Sequence, residues 1–193
     1  MELRFRPLRA DEIDCRIAQQ TEYGLSLLLY KDARCDMNLL DETVGPFNWQ
    51  RTHSRDNANC IVSIWDEEKK QWISKEDTGT DSYTEADKGR ASDSYKRSCF
   101  NWGIGRELYT APQIWIKKND FTLNNRNKCN DRFEVEKIVY DEEKNIIALS
   151  IVNTKLNKRV FKWMHPEYEA RKPKDPTEVA EPSTVKESEA NGN

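Results

Sequence analysis

The sequence holds little of the chemistry that marks metal sites, nucleotide pockets or nucleophilic catalysis. Histidine occurs only as His53 and His165, and the five cysteines (Cys15, Cys35, Cys60, Cys99 and Cys129) form no Cys-x-x-Cys pair. An odd number of widely spaced thiols beside two distant imidazoles predicts neither a disulfide framework nor a zinc site, and fits free thiols in a reducing compartment. No Gly-x-x-x-x-Gly-Lys-[Ser/Thr] loop is present to cradle a nucleoside triphosphate. Gly-x-Ser-x-Gly and catalytically spaced Cys/His pairs are missing too. Gly103-Ile104-Gly105 is only a fragment of a dinucleotide fingerprint, and it follows a helical pattern where a strand is required. The longest apolar run, Leu27 to Tyr30, is far too short for a bilayer, and MELRFRPLRADEID has no apolar core of a signal peptide. A cytoplasmic protein without cofactor or metal is expected. Neither sign of charge prevails, with 31 Lys+Arg against 34 Asp+Glu, so any polyanion site has to be a local patch.

What the chain does have is aromatic volume. Six Trp, seven Tyr and six Phe offset a hydrophobic share of only 36%. A length of 193 residues suits one domain with a tail or small appendage, and oligomerisation would bury more of its surface.

Taken in order, residues 1 to 15 read as an extended arm with one helical turn near Pro7 and Asp11. Arg16 to Gln20 and Gly24 to Tyr30 are strand candidates. Asp32 is an N-cap for a helix whose apolar face is Ala33, Met37, Leu40 and Val44, ended by Gly45-Pro46. Trp49–His53, Asn59–Trp65 and Trp72–Thr78 read as three strands, the last two flanking a charged turn so that Trp65 can pair with Trp72. A polar loop from Gly79 to Thr84, with Ser82 or Thr84 as cap, leads into a long helix. The body is therefore α+β, an antiparallel meander packed on a long helix.

Beyond residue 118 the pattern changes. DFTLNNRNKCND, within residues 119–131, reads as a mobile loop. Phe133–Tyr140, Ile146–Asn153 and Arg159–Met164 read as a β-rich appendage with a meander of its own over residues 119–170. Residues 171–193 lack aromatics and periodicity and hold three of the seven prolines, which predicts a disordered tail. The expected division is 1–118, 119–170 and 171–193.

The stretch GRASDSYKRSCFNWGIGRELY, Gly89 to Tyr109, organises the rest. As a helix it places Ala91, Tyr95, Ser98, Cys99 and Trp102 on one face and Arg90, Asp93, Lys96, Arg97 and Phe100 on the other. The first face can pack on a sheet. The second combines cations with an aromatic ring, the chemistry that a nucleic-acid strand needs. A plainer reading has Asp93 bridging to Lys96 and Arg97 in water. A short extended segment is expected after the glycine turn, and Trp49, Trp102 and Tyr109 read as core residues rather than as base-stacking platforms.

Two other functional classes are open on the sequence. Asp32, Asp36, Asp41, Glu42, Glu76 and Asp77, with Lys75 nearby, could serve a metal-dependent nuclease. A non-catalytic oligomeric scaffold is the other.

Residues 30–112 resemble the Rad-fifty-two type of single-strand annealing proteins, including phage and bacterial recombination members. The resemblance lies in YKDARCDMNLLDETVG with the following NWQ, in KEDTG, in the DKG of Asp87 to Gly89 and above all in SDSYKRSCFNWGIGRELY. It implies a β-β-β-α annealing core, assembly into a homo-oligomeric ring or arc, and ATP-independent binding and annealing of single-stranded DNA in recombination and repair. It also implies that a single-strand-binding protein or an exonuclease is a partner. Lys96 and Arg97 match the family's basic pair on the long helix, and Arg34 matches its basic residue opening the first helix. Charge and position add Arg90, Lys88 and Arg106 as DNA-binding candidates, and Lys117 and Lys118 lie where the family has further basic residues. Residues 119–164 have no counterpart in that core.

Overall fold

The computed structural model describes residues 3–80 and 86–171, with side chains for all of these except 86–88 and 169–171. The described chain is α+β, with two antiparallel sheets and three α-helices.

The larger sheet grows outward from a hairpin. Strand β2 (Gly24–Tyr30) buries Leu25 and Leu27 and turns Leu28 and Tyr30 outward. Strand β1 (Asp14–Gln20) runs antiparallel to it with Arg16 opposite Leu28, and a bulge between Ile17 and Gln19. On its other side β2 takes up the short strand β6 (Ile114–Lys117), with Leu27 opposite Ile114. The extended segment expected directly after the glycine turn is instead a 3-10 helix over Arg106–Thr110, and extension begins only at Ile114.

The meander expected over residues 133–164 forms as β7 (Phe133–Tyr140), β8 (Ile146–Asn153) and β9 (Lys158–Met164). It does not stand by itself. Glu134 pairs with Asp14, so the sheet order is β6-β2-β1-β7-β8-β9. Phe133, Val135, Ile146, Leu149 and Ile151 share one core with Leu25, Leu27, Ile114 and Ile116. The boundary expected at residue 118 thus runs through a continuous sheet. The reason is burial: the alternating face of β7 and β8 needs apolar cover, and the N-terminal strands supply it. The edge strands β6 and β9 also approach one another, so the sheet curls. Lys158 on β9 reaches Asp120, just beyond β6, at 2.6 Å.

The stretch expected to be a mobile loop, residues 119–131, is anchored. Phe121 and Cys129 are buried. The Asp131 carboxylate accepts from the Thr122 amide at 2.6 Å and the Asn153 side-chain amide at 2.8 Å, and pairs with Lys155 at 3.1 Å.

The smaller sheet is β3 (Trp49–Ser54), β4 (Asn59–Asp66) and β5 (Gln71–Thr78) in that order. Trp65 lies opposite Trp72, as expected, with ring centroids 5.5 Å apart. Helix α2 (Ala86–Asn101) packs on this sheet. Tyr95, Ser98 and Cys99 are fully buried. The Ser98 hydroxyl donates to the Lys75 carbonyl at 2.7 Å and accepts the Val62 N–H at 3.2 Å, tying the helix to two strands. A Cβ on Gly79 would lie 2.5 Å from the Ser94 nitrogen, so only glycine lets β5 end this close to α2.

Helix α1 (Ala33–Val44) starts as expected, with Asp32 accepting the Cys35 N–H at 2.9 Å, and stops at Gly45 with φ of 85°. The short helix α3 (Pro166–Arg171) was not anticipated. No helix among the described residues is long and apolar enough to cross a membrane. The caps expected at Ser82 or Thr84 and the tail of residues 172–193 lie outside the described residues.

Candidate nucleic-acid interface

A groove of about 1050 Å³ opens between the outer end of the large sheet and the polar face of α2. Its walls come from Ser26 to Lys31 of β2 and the residue after it, from Asp93, Lys96, Arg97, Phe100 and Asn101 of α2, and from Gly105 to Ile114 where the chain returns to the sheet. Arg16 enters from β1 because the register sets it against the outward-facing Leu28.

The two faces of α2 form largely as the spacing predicts, except that Arg90 does not line the groove. Tyr95, Ser98 and Cys99 meet the sheet, while Asp93, Lys96, Arg97 and Phe100 line the groove. The charge bridges differ from the plain reading. Asp93, midway along α2, is occupied by the segment that follows β5, accepting the Thr80 N–H at 2.9 Å. Arg97 pairs instead with Asp77 of β5 at 3.3 Å, and Asn101 also donates to Asp77 at 3.2 Å. Arg16 and Lys96 carry their charges into the groove without an ion pair among the described residues.

Below them lies a buried ion pair. Lys31 is 7% exposed and bonds to Asp36, which is fully buried and has its second carboxylate oxygen unpartnered. Burial pushes the Asp36 carboxyl up to about 6, against the pull of the Lys31 and Lys96 charges. Gly105, at φ of 78°, makes room for the lysine stem: a Cβ there would meet Lys31 Cε at 2.3 Å. The glycine turn is therefore a packing device for a lysine under the groove.

The remaining expected contacts are dispersed. Arg34 is exposed on the first turn of α1 and does not line the groove, and the pairing suggested for it with Asp36 or Glu42 does not form, since those carboxylates hold Lys31 and Arg6. Arg90 turns to the β3–β4 connection, donating to the Asp56 carbonyl at 3.4 Å. The side chain of Lys88 lies outside those described. Arg106 serves as a cap, donating to the carbonyls of Phe100 and Asn101 at 2.8 Å each, beside the Gly103 N–H on the first and the Lys75 ammonium on the second. Lys117 and Lys118 are exposed at the opposite end of β6 from Ile114, the residue that touches the groove.

Tyr109 corrects the expectation of a core residue. It is 81% exposed and edge-on to Phe100, with centroids 5.0 Å apart. Trp49 and Trp102 do pack: Trp49 stacks 6.4 Å from Tyr95, and the Trp102 indole donates to the Val62 carbonyl at 3.0 Å. Nothing local marks Arg16 and Lys31 as site residues, and the pattern around Tyr109 favours a core position. Strand register, the glycine turn and the 3-10 helix bring them to the groove.

The carboxylates considered for a nuclease each have another partner. Asp32 caps α1, Asp41 accepts the Trp49 indole at 2.7 Å, Glu42 pairs with Arg6 at 2.9 Å, and Glu76 accepts from Asn59 at 2.6 Å. No group of three His, Cys, Asp or Glu side chains among the described residues is placed to hold a metal ion. Burial pushes the thiols of Cys15 and Cys35 up to about 12 and that of Cys60 to about 11, so they are protonated at neutral pH.

No protein-family model, curated protein or solved structure matches this chain.

Proposed function

We propose that this protein binds single-stranded DNA and anneals complementary strands without ATP, in homologous recombination or repair, as a homo-oligomeric ring or arc. The observation that carries the reading is the convergence of Arg16, Lys96 and Arg97 on one open groove from two elements distant in sequence. A groove about 1050 Å³ in volume accommodates several nucleotides of backbone, and guanidinium and ammonium groups are the usual phosphate contacts. The order β3-β4-β5-α2, with the Lys96-Arg97 pair on the outward face of the helix, supports an annealing core of β-β-β-α type. In mechanism, basic side chains bind phosphates and lower the repulsion between two strands, while repetition of subunits makes weak sites multivalent. An overall charge of −3 is compatible with this, because the groove lining, with Arg16, Lys31, Lys96 and Arg97 against Asp77 and Asp93, is locally positive.

The test is annealing of two complementary labelled oligonucleotides, without ATP and with or without Mg²⁺. Faster annealing with both strands intact is the expected outcome. Absence of acceleration, together with absence of single-strand binding at low salt, overturns the reading.

A further inference from the structure

We infer that Tyr109 is a stacking platform for an unpaired nucleobase, so that the groove reads the base face of a strand as well as its phosphates; this rests on the strand-binding reading above. The ring has no burial role, being 81% exposed, yet its backbone is held firmly. The 3-10 helix that carries it starts from Gly105 in the left-handed region and ends at Thr110, whose hydroxyl donates to the Glu107 carbonyl at 2.7 Å and accepts the Ile146 N–H of β8 at 2.8 Å. Glu107 is buried and accepts the Leu8 N–H at 2.8 Å, fixing the same turn from the other side.

The ring itself is backed. Phe100 meets Tyr109 at an interplanar angle of 62°, and the Arg106 guanidinium lies 5.5 Å from the Phe100 centroid while bonded to the end of α2. An exposed aromatic on a fixed backbone loses little freedom when a flat ligand covers it, which is the condition for a preorganised contact. Lys96 and Arg97 line the same groove, so a strand with its phosphates on those side chains has its bases within reach of Tyr109. Every base presents a π-face, so the contact is indifferent to sequence. It is sensitive to pairing, because a base inside a duplex is covered on both faces.

The test compares two oligonucleotides of equal length, one of thymidines carrying a single 2-aminopurine and one an abasic backbone, on wild-type protein and on Tyr109→Ala and Tyr109→Phe. The wild type should bind the base-bearing strand about tenfold more tightly than the abasic one and quench the 2-aminopurine. Tyr109→Ala should lower base-bearing affinity to the abasic level and abolish the quench, leaving abasic binding unchanged, and Tyr109→Phe should retain both. If Tyr109→Ala weakens both strands equally, or neither, the stacking role is overturned while phosphate binding stands. Failure of the wild type to bind either strand at low salt overturns the strand-binding reading, and this inference with it.

Discussion

Lys31 shows how single residues set this site. A lysine is seldom buried without a counter-charge, and here Asp36 supplies it while Gly105 leaves space for the stem. That ion pair removes one cation from the solvent-facing set and leaves Arg16 and Lys96 facing the groove, with Arg97 beside them held by the partly exposed Asp77. Replacing Lys96 and Arg97 together by alanine should keep the circular dichroism spectrum and lower the slope of log affinity against log salt by about 1.4, at about 0.7 per lost phosphate contact. Arg106→Ala should behave otherwise. Its guanidinium caps α2, so the variant should lose about 1 kcal/mol of unfolding free energy in urea with its salt slope unchanged. A reduced slope for Arg106→Ala would move that residue back among the phosphate contacts.

At the scale of elements, the groove depends on how closely α2 lies on its sheet. Ser98 spans β4 and β5, Trp102 donates to β4, and Gly79 lets the end of β5 touch the backbone of α2. Gly79→Ala would set a methyl group 2.5 Å from the Ser94 nitrogen and 2.8 Å from the Arg90 carbonyl oxygen. Both are backbone atoms, so the helix has to shift as a body. We expect a loss of about 1–3 kcal/mol in urea unfolding. Weakened strand binding should accompany it, since Lys96 and Arg97 move with the helix. Unaltered stability would mean that the helix start adapts without cost.

For the whole molecule, Asp131 joins the segment after β6 to the β8–β9 turn and so helps hold the curl of the large sheet. Burial alone would raise its carboxyl, but bonds from Thr122, Asn153 and Lys155 outweigh that and hold it at about 2. A folded-state value below the unfolded one means that the stabilisation is complete above about pH 4 and is lost as pH falls toward 2. Asp131→Asn should cost about 1.5–3 kcal/mol at neutral pH, the range for hydrogen bonds to a charged group. It should also flatten the loss of stability between pH 4 and 2, as read from urea midpoints across that range. An acid limb unchanged in the variant would assign the acid sensitivity to other carboxylates.

Local chemistry alone determined a good part of this protein. The capped helix α1, the hairpin with Trp65 against Trp72, the strand spans of residues 133–164 and the two faces of α2 all follow from caps, turn residues and periodicity, which act over a few neighbouring residues. Tertiary structure decided the rest. Whether residues 119–170 form their own unit depended on which apolar face covers which, and the pairing of Asp14 with Glu134 joined them to the first sheet. The arrival of Arg16 in the groove was set by strand register. The roles of Arg97 and Arg106 were set by Asp77 and by two carbonyls at the end of α2, and the exposure of Tyr109 by a 3-10 helix in place of a strand. Those partners are brought together only by burial of a shared core, and no pattern along the chain encodes which charges will meet there.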